Sequence, residues 1–102
     1  MRFAVLLIQE AKKDFEKLDG SIKKQILKKL ILLETNPFLG KSLGNRAGID
    51  LTGYYKLYVY IKKIRIVYEI KDKALIIRVI SIGKREDFTV YLQALLRRGK
   101  KQ

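Results

Sequence analysis

Between Tyr54 and Ile82 apolar and polar residues alternate with a period of two, and this pattern limits the fold more than any other feature. Successive side chains of a strand point to opposite faces. Leu57, Val59 and Ile61 therefore share one face, and Lys56, Tyr58 and Tyr60 the other. Lys62-Lys63 and Asp72-Lys73 are predicted turns, which makes three antiparallel strands: one ending near Ile61, Ile64 to Lys71, and Leu75 to Ile82. Tight hairpins would set Val59 opposite Ile66, Leu57 opposite Tyr68, Glu69 opposite Lys56 and Tyr68 opposite Ile77. A longer four-residue loop keeps the same two faces, because register shifts by even steps preserve side-chain direction. One face is continuously apolar and needs a cover. The other carries Tyr54, Lys56, Tyr58, Tyr60, Arg65 and Arg78.

The cover comes from the N-terminal third. Arg2 to Ile8 is a short apolar segment suited to a strand. Ala11, Phe15 and Leu18 then recur at helical spacing, until Asp19-Gly20 interrupts the pattern. Ser21 is the predicted cap of a second helix, whose buried stripe is Ile22, Ile26, Leu30 and Leu33. Lys23, Lys24, Lys28 and Lys29 lie largely off that stripe, and Asn36-Pro37 ends the helix. Phe38 to Thr52, rich in glycine and polar residues, reads as a long loop. Its Gly40-Lys41-Ser42 is no phosphate loop, since Thr35 stands where the first glycine is required and no strand precedes it. Asp87 is a predicted cap for a C-terminal helix with a Phe88, Tyr91, Leu92 and Leu95 stripe. Residues 96–102 read as a frayed basic tail. The expectation is one α+β domain over 1–102: an N-terminal strand and helical hairpin on a small, mainly antiparallel sheet, with a short C-terminal helix.

Twenty-three Lys and Arg against ten Asp and Glu give a formal charge of +13. Such a field favours polyanions or a strongly acidic protein. With no cysteine there is no disulfide or thiolate chemistry, and with no histidine there is no imidazole acid–base pair. The acids Asp14, Glu16 and Asp19 gather on the first helix, away from the cationic face, so a two-metal site is not expected. The early apolar run stops at Gln9-Glu10, and a cytoplasmic chain without a membrane span is expected. Tyrosines interleaved with lysine and arginine suit single-stranded RNA, in which cations hold phosphates and rings stack on bases. The same tyrosines also suit a half-wet strand for structural reasons alone.

Several segments carry a resemblance in order. They are Ala11-Lys12-Lys13-Asp14-Phe15, the helix closing in Asn36-Pro37, Gly53-Tyr54-Tyr55-Lys56-Leu57 and Arg65-Ile66-Val67-Tyr68. Ile82-Gly83-Lys84-Arg85-Glu86-Asp87 follows, with Val90-Tyr91. Over nearly its whole length the chain resembles the RelE branch of the RelE/ParE toxin superfamily. The resemblance implies a type II toxin: a metal-free, cofactor-free endoribonuclease that cuts mRNA in the ribosomal A site and inhibits translation. There the messenger's 2′-hydroxyl attacks the adjacent phosphate. Lys56, Arg65, Arg85 and Tyr91 match residues such toxins use for catalysis. Arg65 and Arg85 would neutralise the phosphorane, Lys56 would stabilise charge or move a proton, and Tyr91 would stack on a base. Tyr58 stands where RelE-type members often carry a second lysine; it would shuttle a proton or serve as a stacking surface. Tyr54, Tyr60, Arg78 and Lys84 complete the expected RNA-binding set. An acidic, RelB-like cognate antitoxin is the implied protein partner. Two alternatives share the fold: a ParE-like gyrase inhibitor, and a catalytically silent RNA- or antitoxin-binding module.

Overall fold

The computed structural model describes residues 2–46, 48–61, 63–84 and 96–97. Strand β1 (Ala4–Leu7) leads into helices α1 (Gln9–Glu16) and α2 (Gly20–Thr35). Strands β2 (Lys41–Arg46), β3 (Ile49–Val59), β4 (Ile64–Lys71) and β5 (Ile76–Lys84) follow. They form one five-stranded sheet in the order β1-β5-β4-β3-β2, in which β1 and β5 are parallel and every other pair is antiparallel. The architecture is α+β, as the alternation and the helical spacing require.

Helix α2 begins one residue before the predicted cap. Asp19 is the N-cap: its carboxylate accepts from the Ile22 N–H at 3.1 Å and from the Ser21 hydroxyl at 2.8 Å. Those two bonds stabilise the charged form and hold the Asp19 carboxyl below its ordinary pKa. Aspartate reaches the orphan amides here, and Ser21 serves it as a second donor. Ile26, Leu30 and Leu33 are buried as the stripe predicts, while Ile22 is only half-buried. The helices cover the face of Leu57, Val59, Ile66, Tyr68, Ile77 and Val79, all buried.

Three expectations about the sheet change. The predicted loop over Phe38–Thr52 is mostly strand: β2 pairs with β3, and both Leu43 and Leu51 are buried. Its glycines mark backbone irregularities within the hairpin. Gly44 (φ 57°) sits at a register shift between Ser42 and Gly44, and Gly48 (φ 80°) lies in the turn. Second, the β3–β4 register is displaced by two residues from the tight-hairpin expectation. Val59 pairs with Ile64, Leu57 with Ile66 and Tyr58 with Arg65. The loop runs through Tyr60 (φ 56°) and Ile61 (φ 53°), an unusual left-handed pair of bulky residues, and it leaves Ile61 89% exposed instead of on the apolar face. Third, Tyr68 pairs with Val79, not Ile77, with a further register shift between Val67 and Tyr68. Face assignment survives these slips because parity is kept where β3 meets β4.

The expected C-terminal helix capped by Asp87 lies outside the described residues, except for helical Leu96 and Arg97. Arg97 is not frayed. Its guanidinium donates to Asp14 at 2.8 Å and to the Ile80 carbonyl at 3.1 Å, and the same Asp14 oxygen accepts from the Ile82 N–H at 3.2 Å. One carboxylate thus ties α1, β5 and Arg97 together.

Candidate nucleic-acid interface and its relatives

Lys56 and Tyr58 lie two residues apart on β3 and so share a face, and β4 sets Arg65 directly opposite Tyr58. The Lys56 ammonium donates to the Tyr58 hydroxyl at 3.2 Å and lies 5.2 Å from the centre of its ring. The Arg65 guanidinium carbon is 5.6 Å from the same centre, within cation–π range. Arg65 is only 7% exposed. Two cations therefore press on one phenol. Burial alone would raise the Tyr58 pKa, but hydrogen bonds from Lys56 and Arg65, with their charges, outweigh it and bring the phenol down to about 8.

Such a cluster has three chemical capacities. It offers fixed positive charge for a phosphodiester, an aromatic surface, and a phenol whose pKa is lowered to about 8. Beside it lies an open pocket of ≈ 270 Å³ lined by Leu39, Gly40, Lys41, Lys56, Leu57 and Tyr58.

The remaining predicted site residues divide. Lys84 is exposed at the end of β5, paired with Ile64. Tyr60 is half-buried in the β3–β4 loop, with the Lys63 ammonium 5.8 Å from its ring centre, and does not continue the strand face. Tyr54 was expected to be exposed for stacking; it is 5% exposed and belongs to the core. Arg78 was expected as a phosphate ligand, but its Nε lies 3.2 Å from the Glu69 carboxylate, with both side chains largely covered. Glu69 also meets Lys71 at 3.6 Å. It pairs with Tyr54 in the ladder, and Val67, not Glu69, stands opposite Lys56. The anticipated acid is therefore two residues away from the lysine and already engaged. Arg85 and Tyr91 lie outside the described residues.

Lys41 was missed. It pairs directly with Lys56 across β2 and β3, and a segment read as loop conceals that neighbour. The only available signal was its charge.

Among the described residues no helix is long and apolar enough to cross a membrane. A family model described as the ParE toxin of type II toxin–antitoxin systems matches residues 5–87. The chain is 36% identical over 91 residues to a RelE-like toxin protein of Escherichia coli, spanning 89% of this chain and 92% of that one. It is 31% identical over 90 residues to the mRNA interferase toxin RelE of Escherichia coli strain K12, spanning 87% and 90%. Among solved structures, a double arginine-to-alanine mutant of E. coli RelE in its free state superposes with a TM-score of 0.79 at 28% identity, over 95% of this chain and 98% of that one. The same mutant bound to an antitoxin RelB peptide matches at a TM-score of 0.69 and 28% identity, over 92% and 95%. Fold and matched family together define the toxin half of a type II toxin–antitoxin pair. The chain belongs to the RelE/ParE toxin superfamily, and the relatives named here are of its RelE branch.

Proposed function

We propose that the chain is an mRNA endoribonuclease that works on translating ribosomes, with Lys56, Tyr58 and Arg65 at its reacting centre. The observation that carries this reading is the Tyr58 phenol, 3.2 Å from one cation and within cation–π range of another on the same face. The E. coli relative is named an mRNA interferase, which supports the substrate class. In the reaction, the Tyr58 phenolate removes the proton from a 2′-hydroxyl. The resulting oxyanion attacks the neighbouring phosphorus and forms a 2′,3′-cyclic phosphate. The P–O5′ bond breaks, and the leaving oxygen takes up a proton from solvent water to become a 5′-hydroxyl. Lys56 and Arg65 offset the charge that grows on the phosphorane, where fixed donors are most effective. The lysine-to-tyrosine change at position 58 is thereby accommodated: the phenol replaces a second lysine as base, tuned by the first. By resemblance, Arg85 supplies a further guanidinium and Tyr91 a stacking ring. No metal is required in this scheme.

A cytoplasmic location and an acidic antitoxin follow from the same reading, since a RelE relative is seen bound to a RelB peptide and this chain carries +13. Purified protein added to translating ribosomes should cut message, and Arg65→Ala should not. Intact message under wild-type protein would refute the reading. The family match to ParE keeps gyrase inhibition as a second reading. Loss of supercoiling activity alongside uncut message would select it.

A further inference from the structure

Lys41 and Lys56 are cross-strand partners, and like charges directly opposite each other are destabilising. The sequence nevertheless spends considerable structure on holding them together. The Tyr68 hydroxyl, from the middle of β4, donates to the Pro37 carbonyl at 2.8 Å and accepts from the Gly40 N–H at 3.0 Å. It thus straps the segment before β2 onto the sheet. Gly40 lies so close to the sheet that an added Cβ would meet the Lys56 carbonyl oxygen at 2.3 Å and the Tyr68 hydroxyl at 2.8 Å. That approach brings Leu39, Gly40 and Lys41 up as one wall of the pocket whose other wall is Lys56, Leu57 and Tyr58. Among the described residues, no carboxylate lines the pocket beside the two ammonium groups. Lys41 is exposed and Lys56 half-buried, a graded pair that faces outward.

We propose that this pocket is a second phosphate subsite, in which Lys41 with Lys56 holds the RNA phosphate next to the one being cleaved, and Leu39 and Gly40 lie beneath the connecting sugar. This rests on the ribonuclease reading and adds a substrate-positioning residue to it. Tyr68 and Gly40 act through Lys41 as positioning groups, because they set where β2 begins. The strand is gripped at two adjacent phosphates instead of one, and only one register then brings a 2′-hydroxyl to Tyr58.

A fully 2′-O-methylated, fluorescent single-stranded RNA, which this chemistry cannot cleave, reports binding by anisotropy across a salt series. Lys41→Gln is expected to weaken binding about fivefold at low salt, the worth of one solvent-exposed ion pair. It is also expected to flatten the log–log salt slope by about 0.7, one phosphate contact on a single strand. Lys41→Arg should restore both, since it keeps the charge. Wild-type affinity and slope in Lys41→Gln, beside a wild-type chain that binds, overturn the subsite alone. A wild-type chain that binds no RNA and cuts no message overturns the underlying reading and the subsite with it.

Discussion

Replacing Lys56 by glutamine removes one of the two cations that act on Tyr58 and so tests how that phenol is tuned. A tyrosine hydroxyl ordinarily titrates at 10.0; here it is brought to about 8 by hydrogen bonds and charges that outweigh its burial. The Lys56 ammonium sits 3.2 Å from the oxygen. At that separation a unit charge in bulk-water dielectric contributes about 1.3 kcal/mol, close to one pKa unit. Arg65 remains in the variant, so the phenol should titrate about one unit higher, near 9, and not return fully to 10. The assay is a difference titration of phenolate absorbance, with Tyr58→Phe subtracted to remove the other tyrosines. The sign for catalysis follows. Below pH 8 the phenolate fraction shrinks about tenfold per pH unit, so cleavage should fall with it on the acid side and level off above. In Lys56→Gln that limb should move up with the phenol. A wild-type phenol that titrates at 10 or above, or a Lys56→Gln profile that does not move, would rule out this tuning of Tyr58.

Tyr58→Phe keeps the ring and loses the base, so message cleavage should drop about 10²- to 10⁴-fold, measured by single-turnover kinetics. Tyr68→Phe leaves the Pro37 carbonyl and Gly40 N–H without their buried partner; chemical denaturation should show a loss of about 1–3 kcal/mol. Gly40→Ala forces a methyl against backbone, and should cost about 1–3 kcal/mol in the same experiment, with weakened RNA binding even where the variant folds. Asp14→Ala removes the acceptor shared by Arg97 and the Ile82 amide, and faster amide exchange at Ile82 with a lowered melting temperature should follow.

The parity of the strands was legible because a period of two survives any even slip, and it placed Lys56, Tyr58 and Arg65 on one face before their register was known. The register itself was hidden. The β3–β4 loop turns on left-handed Tyr60 and Ile61, residues with no turn signature, and not on an Asn-Gly pair. Glycines in Phe38–Thr52 suggested a loop, yet Gly44 and Gly48 serve a bulge and a turn inside a hairpin. Lys41 stayed unseen for that reason. Tyr54 and Arg78 sit at exposed-face positions by parity, but Tyr54 is closed into the core and Arg78 is taken by Glu69. Alternation reports side-chain direction; it does not report what lies above the face. Asp14 illustrates the same limit, since its partners Arg97 and Ile82 are 83 and 68 positions away in the chain.

On the proposed reading, the cationic face around Tyr58 cuts message on the ribosome. Mapping the 5′ ends of a defined message, after incubation with translating ribosomes and either wild-type or Arg65→Ala protein, tests it most directly. New 5′-hydroxyl ends are expected inside ribosome-occupied codons with wild-type protein, and none with Arg65→Ala. Message that stays intact, or ends that appear equally with Arg65→Ala, would contradict it.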